Sequence, residues 1–239
     1  MHILVTRPIA QALKTRERLE AFGHEVSLAP MLEIVFPACP ELDAQAFQAI
    51  TVTSSNALEG LVQRPDRDLL CALPLYAVGD RTAQRAERMG WHRVRSASGA
   101  VDDLTSLLQS EFSPGADRIL YACGVDRTGD LDTKLIAAGF DVTIAEVYHA
   151  RAVGDLQPTI AEALRQRVFD AIFVYSARTA SVLLDAVHEA DLLEAARDTV
   201  ICAFSEAVAA PFRSLGFENI VVSSQPSERI LFKELCLQG

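Results

Sequence analysis

Two short stretches carry residue types that could do chemistry. Thr53-Ser54-Ser55-Asn56 follows the apolar run Ala49-Ile50-Thr51-Val52, and a helical pattern with Ala57, Leu58, Leu61 and Val62 begins at once. Far along the chain, Tyr175-Ser176-Ala177-Arg178-Thr179 follows Ala171-Ile172-Phe173-Val174 in the same way. Small hydroxyl and amide side chains at a strand-to-helix bend cap the first helical N–H groups. They also let an anion approach the positive end of the helix. One such turn is more often a plain helix cap than a site. Two matching turns on two lobes, with a cleft between them, make a shared anionic ligand as good a reading as two plain caps.

Other chemistries are not signalled. The chain has no G-x-G-x-x-G fingerprint, no Walker loop, no G-x-S-x-G elbow and no H-E-x-x-H pair. Val78-Gly79-Asp80-Arg81-Thr82-Ala83 reads as strand, glycine turn and helix start, but a lone glycine is weak evidence for a nucleotide. His2, His24, His92, His149 and His188 show no metal-ligand spacing, so no metal is expected. The five cysteines, Cys39, Cys71, Cys123, Cys202 and Cys236, are odd in number and contain no C-x-x-C. That fits a reducing cytoplasm rather than a disulfide framework.

Composition narrows the partners. The 239 residues carry a net charge of −10, which argues against nucleic acid and against anionic membrane. No apolar run reaches the length of a membrane span. Met1-His2-Ile3-Leu4-Val5 enters a strand-like run directly, so no secretory leader is expected. The bases are nearly all arginine, Lys14, Lys134 and Lys233 being the only lysines. Arginine's planar fork suits carboxylates and phosphates.

The elements that must position these residues alternate strand and helix throughout. Ile3-Leu4-Val5-Thr6 is followed by a helical stripe of Leu13, Leu19 and Phe22, then Gly23, then Val26-Ser27-Leu28-Ala29. Laying residues 3–32 on 119–148 superposes strand on strand and Gly23 on Gly139 with no gap. A second pair of units matches from the Thr53-Ser54 and Tyr175-Ser176 turns onward, with Gly90 answering Gly216. The chain is therefore a duplicated unit of about five strands per copy. Strands alternating with helices of this length predict two doubly wound α/β domains with parallel sheets.

The motifs Val5-Thr6-Arg7-Pro8, Thr53-Ser54-x-Asn56-Ala57, Val78-Gly79-x-x-Thr82-Ala83, Glu146-Val147-Tyr148 and Tyr175-Ser176 resemble, in order and spacing, the uroporphyrinogen-III synthase family. The resemblance covers essentially the whole chain. It implies a first domain of residues 1–32 with 154–239, a second of 38–146, and connecting strands at 33–37 and 147–153. It implies a cofactor-free lyase of haem biosynthesis acting on hydroxymethylbilane, a linear tetrapyrrole with acetate and propionate arms; a monomer is expected separately, because each sheet should be covered by its own helices and no sustained heptad appears. Loss of the terminal hydroxyl leaves an azafulvenium, and the last pyrrole attacks through its substituted carbon. The resulting spiro intermediate reopens and closes with that ring inverted.

By position, the resemblance assigns Tyr148 to help the hydroxyl leave, and Ser54, Thr82 and Ser176 to the substrate. Arg7 and Arg178 are also expected to bind its carboxylates. A transient contact with the enzyme that supplies hydroxymethylbilane is a further expectation. In the second half, Phe204-Ser205-Glu206-Ala207 stands where the family repeats a Gly-x-x-Thr-Ala turn, which places a glutamate there. Pro211 in the helix that follows is compatible only with a place in its first turn. Tyr148 and Glu146, two apart on a strand, are expected to share one side. The reading from another function class is a non-catalytic two-domain protein that closes on a small polyanion.

Overall fold

The computed structural model describes residues 1–38, 40–127, 129–225 and 227–235; Cys39 and Cys236 lie outside the described residues. In chain order the elements are β1 (His2–Val5), α1 (Ile9–Ala21), β2 (Glu25–Leu28), β3 (Leu32–Val35), a 3-10 turn at Ala44–Ala46, β4 (Ala49–Val52), α2 (Ser55–Val62), α3 (Arg67–Cys71), β5 (Leu75–Ala77), α4 (Asp80–Arg88), β6 (Val94–Ser96) and α5 (Val101–Glu111). They continue with β7 (Arg118–Gly124), α6 (Leu131–Ala137), β8 (Asp141–Ala152), α7 (Pro158–Arg165), β9 (Ala171–Val174), α8 (Ala177–Glu189), α9 (Leu193–Arg197), β10 (Val200–Ala203), α10 (Glu206–Ser214), β11 (Ile220–Val222) and α11 (Glu228–Glu234).

The chain divides into two compact units, residues 1–33 with 151–239 and residues 34–150. The first unit holds a sheet of order β11-β10-β9-β1-β2, parallel at every pairing. The sheet of the second has order β3-β8-β7-β4-β5-β6, and β8-β7-β4-β5-β6 is parallel throughout. Central strands β4 and β9 read Ala-Ile-Thr-Val and Ala-Ile-Phe-Val and are buried at every residue, as strands covered on both faces must be. Each sheet accordingly carries one apolar cluster per face. In the first unit Leu4, Ile172 and Leu183 lie in one and Ile3, Phe173 and Leu231 in the other. In the second the faces gather Ile50, Leu61 and Trp91, and Tyr121, Leu104 and Leu135.

The duplicated glycines end their helices as read. Gly23 and Gly139 have φ of 80° and 92°, a left-handed conformation that closes α1 and α6 and that side chains other than glycine's rarely adopt. The stripe on α1 differs from the expectation. Leu13 and Phe22 are 37% and 49% exposed, and the buried face is Ala12, Thr15 and Leu19. Thr15 faces inward because its hydroxyl meets a carboxylate, described below.

Pro211 also departs from the expectation. It lies inside α10, beyond its first turn. Its ring removes one helical N–H and crowds the preceding turn, at a cost of roughly 3 kcal/mol. Val208, Ala209 and Phe212 hold the helix in place from both sides of the proline, buried in the core. Phe212 meets Phe217 edge to face at 5.3 Å.

The second connecting stretch is not a separate element. It continues β8 as one strand of 12 residues, and Glu33 pairs with Arg151 between β3 and β8 at 2.5 Å.

Candidate active site

In each sheet the winding reverses direction once. In the first unit β1 leads through α1 to β2 on one side, and β9 leads through α8 to β10 on the other. In the second unit β4 leads toward β5, and β7 leads through α6 to β8. A crevice opens beyond the carboxyl ends of the two strands at such a point, and ligands of doubly wound sheets bind there. The residues that follow these four strands are Thr6-Arg7, Tyr175-Ser176, Thr53-Ser54 and Val125-Asp126-Arg127. Both hydroxyl-bearing turns, Thr53-Ser54 and Tyr175-Ser176, thus fall at a switch point.

The turn hydroxyls act as caps. Ser54 is extended, with φ −140° and ψ 143°, and its side chain accepts from Asn56 N at 3.1 Å at the start of α2. Ser176 does the same for α8, accepting from Thr179 N at 3.1 Å, with Thr179 Oγ1 at 2.8 Å. Neither helix has an acidic residue in its first turn. Five other helices that follow strands do: α4 has Asp80, α5 has Asp102 and Asp103, α6 has Asp132, α10 has Glu206 and α11 has Glu228. The dipole of α2 and α8 is therefore not met by a local carboxylate. Arg178 stands exposed in the first turn of α8.

Thr82 is placed differently. Gly79 is the N-cap of α4, and Thr82 sits three residues on, half-buried, its amide bonded to the Gly79 carbonyl at 3.0 Å. Asp80 shares that helix end and accepts from Ser98 Oγ at 2.6 Å. The Ser98 and Ser96 hydroxyls hold its carboxyl below the usual range.

Arg7 is held by its own protein. Its Nη1 donates to Glu228 Oε1 at 2.6 Å and to Thr15 Oγ1 at 3.3 Å, and its guanidinium lies 4.1 Å from the centre of the Tyr175 ring. Glu228 also accepts from the Thr15 hydroxyl at 2.5 Å, from Arg18 at 2.5 Å and from the Tyr175 hydroxyl at 3.0 Å. The second unit has a counterpart. Arg127 reaches Glu146 at 3.0 Å and Asp132 at 3.3 Å. Cys123 lies beside it, its thiol pushed up to about 11 by burial. The sequence reading missed Glu228, Thr15 and Arg127; the only local signal was Arg127 three residues beyond a strand end. Glu206 turns to Arg213 at 2.9 Å, an exposed pair.

Tyr148 departs from its expected side. Strands β7 and β8 pair one to one from Arg118↔Asp141 to Cys123↔Glu146, and the next pair is Gly124↔Tyr148. Val147 is therefore an inserted residue, a β-bulge, and alternation fails across it. Glu146 stays exposed beside Arg127, whereas half-buried Tyr148 packs on the cluster that holds Ala122, Ala145 and Val147. Its ring lies against the Gly124 Cα at the end of β7.

By unit, Arg7, Ser176 and Arg178 are grouped in the first, with Arg7 stacked on the residue before Ser176. Ser54, Thr82 and Tyr148 belong to the second. Among the described residues no cluster of histidine, cysteine or carboxylate is arranged to hold a metal ion, and no helix is long and apolar enough to cross a membrane.

The family model described as uroporphyrinogen-III synthase HemD matches residues 14–233. The chain belongs to the uroporphyrinogen-III synthase family. The fold agrees with solved structures of that family. The uroporphyrinogen-III synthetase of Helicobacter pylori is similar with a TM-score of 0.70 at 20% identity, over 100% of both chains. A mutant uroporphyrinogen III synthase from the extremely thermophilic bacterium Thermus thermophilus gives 0.52 at 19% identity, over 99% of this chain and 96% of that one. At these identities the likeness is one of fold. No curated protein matches the sequence. Uroporphyrinogen-III synthases are lyases that cyclise hydroxymethylbilane, and membership favours an enzyme over a passive binder of anions.

Proposed function

We propose that this chain converts hydroxymethylbilane to uroporphyrinogen III, and that Tyr148 and the helix ends at the two switch points carry the reaction. The observation that carries this reading is the family match from residue 14 to residue 233. The substrate is a flexible polycarboxylate whose two ends must meet, so catalysis rests largely on holding it folded. The first turns of α2 and α8, capped by Ser54 and Ser176 and bare of acidic residues, suit its carboxylates. Arg178 adds a guanidinium at α8. Thr82 offers a hydroxyl at α4, and Arg7, already bound to Glu228, serves the substrate by exchanging that partner or through its outer edge.

Tyr148 hydrogen-bonds the departing hydroxyl and passes it a proton, so that it leaves as water; a proton is returned when the last pyrrole regains its aromaticity on ring closure. The azafulvenium so formed is attacked by the last pyrrole, and the spiro intermediate then reopens and recloses. Atoms and electrons balance without an oxidant or reductant, so the reaction asks for no redox cofactor. A chain of net charge −10 does not attract a polyanion as a whole. Attraction must be local, at helix ends and guanidinium groups. We also assign the protein to the cytoplasm as a monomer that receives hydroxymethylbilane from its producing enzyme by transient contact.

The test is to give hydroxymethylbilane to the purified protein and separate the product isomers. Isomer III in excess over the spontaneous isomer I is expected. Isomer I alone, at the uncatalysed rate, would leave a non-catalytic polyanion binder as the better reading.

A further inference from the structure

We propose that Gly124 and Gly60 are positioning residues for Tyr148, holding the bulge at Val147 that turns the phenol onto the end of β7. This rests on the reading of Tyr148 as the hydrogen-bond donor.

The bulge decides where the ring goes. Were β8 regular through Val147, that residue would pair with Gly124, and Tyr148 would fall on the side of Cys123, Glu146 and Arg127. There a guanidinium already bound to two carboxylates fills the neighbourhood. With the insertion, Tyr148 lies over Gly124, at a strand end beside the switch point.

Three contacts pin the bulge. A Cβ at Gly124 would lie 2.7 Å from Tyr148 Cζ, 2.8 Å from Cε2 and 3.0 Å from Oη, so only glycine leaves room for the ring. A Cβ at Gly60 would lie 2.4 Å from the Val147 carbonyl oxygen and 2.9 Å from its Cβ. That contact is with backbone, which cannot rotate away. The Val147 side chain is itself 2% exposed, anchored in the core with Leu58 and Leu61. Beyond the bulge, Val125 N donates to Tyr148 O at 3.0 Å and resumes the ladder.

Both glycines have ordinary backbone angles, so what they supply is space. Gly60 belongs to α2, whose first turn is capped by Ser54. One helix therefore both presents a site for substrate and sets the back of the bulge that aims Tyr148.

The test compares kcat and KM for isomer III in Gly124→Ala, Tyr148→Phe and the double variant, with melting temperature as a control. A misplacement of about 1 Å in a catalytic group costs roughly 100-fold. Gly124→Ala is expected to lower kcat about 10–100-fold with KM within about threefold. In the Tyr148→Phe background it should cost nothing more. Should Gly124→Ala not fold, Val147→Ala is used, since it loosens the anchor without adding an atom; a loss of about 3–10-fold, absent in the Tyr148→Phe background, is expected. A folded Gly124→Ala or Val147→Ala protein with unchanged kcat would overturn the proposal. So would an equal loss in both backgrounds. Normal turnover in Tyr148→Phe alone would instead remove the donor reading on which the proposal stands.

Discussion

Arg7 Nη1 and Glu228 Oε1 meet at 2.6 Å although 221 positions separate them in the chain. The contact joins the loop after β1 to the start of α11. It gives Arg7, expected to receive substrate, an internal carboxylate instead. Burial is the largest influence on Glu228 and pushes its carboxyl up. The Thr15 hydroxyl, Arg7, the Tyr175 hydroxyl and Arg18 together outweigh it, and the net shift is downward. A carboxyl whose folded pKa is lowered stabilises the fold above its ordinary value near 4.5. That contribution is lost as pH falls through the lower folded value. Acid unfolding of Glu228→Gln is therefore expected to show a weaker pH dependence below about 4.5 than the parent. Removing one partner of a buried pair costs about 3–5 kcal/mol. With a quarter of the Arg7 side chain exposed, Glu228→Ala should cost somewhat less, about 2–3 kcal/mol by urea unfolding. An unchanged midpoint would show the cluster to be inert.

The three turn hydroxyls are expected to separate. Ser54 and Ser176 cap their helices, so Ser54→Ala and Ser176→Ala should each lose about 0.5–2 kcal/mol. Thr82 makes no cap in α4, where Gly79 holds that position. Thr82→Val should therefore melt within about 0.5 kcal/mol of the parent, and any rise in KM reports on substrate directly. Urea midpoints beside isomer-III kinetics decide it. Wild-type kinetics in all three variants would leave these residues as structure alone.

The fold was legible because its signals are periodic. Buried strands such as Ala49–Val52 and Ala171–Val174, the buried pattern of Ala57, Leu58 and Leu61 on α2, and the glycines at 23 and 139 depend on local sequence alone. What was misread depends on partners far along the chain. Thr15 faces inward and Leu13 outward because Glu228 arrives from the other end of the sequence. Pro211 persists inside a helix because Phe212 and Val208 are gripped by the core. The side on which Tyr148 lies depends on one inserted residue, and strand alternation cannot reveal an insertion before the partner strand is known.

A monomer is expected in solution. Each sheet is covered on both faces by apolar clusters built from its own unit, which leaves no large sheet face for a second copy. Light scattering at micromolar concentration should give the mass of a single chain, 26.0 kDa. A stable dimer there would contradict this and would direct attention to the exposed apolar residues Ile9, Leu13 and Phe22 on and beyond α1.

Tyr148 offers the sharpest test of chemistry against packing. Its ring rests on the core cluster and against Gly124, so ring and backbone contacts survive Tyr148→Phe, which removes only the hydroxyl. A packing role would therefore leave both stability and turnover near the parent. A donor acting as the hydroxyl departs strengthens in the transition state, so its loss lowers kcat and leaves KM nearly unchanged. General-acid assistance is typically worth about 10²–10⁴-fold. Tyr148→Phe is expected to lose that much isomer-III turnover at an unshifted melting temperature. The assay must count isomer III alone, because isomer I forms without the enzyme and would mask the loss. A raised KM with unchanged kcat would make the hydroxyl a binding contact, and parent values of both would leave Tyr148 as the residue that fills the space over Gly124.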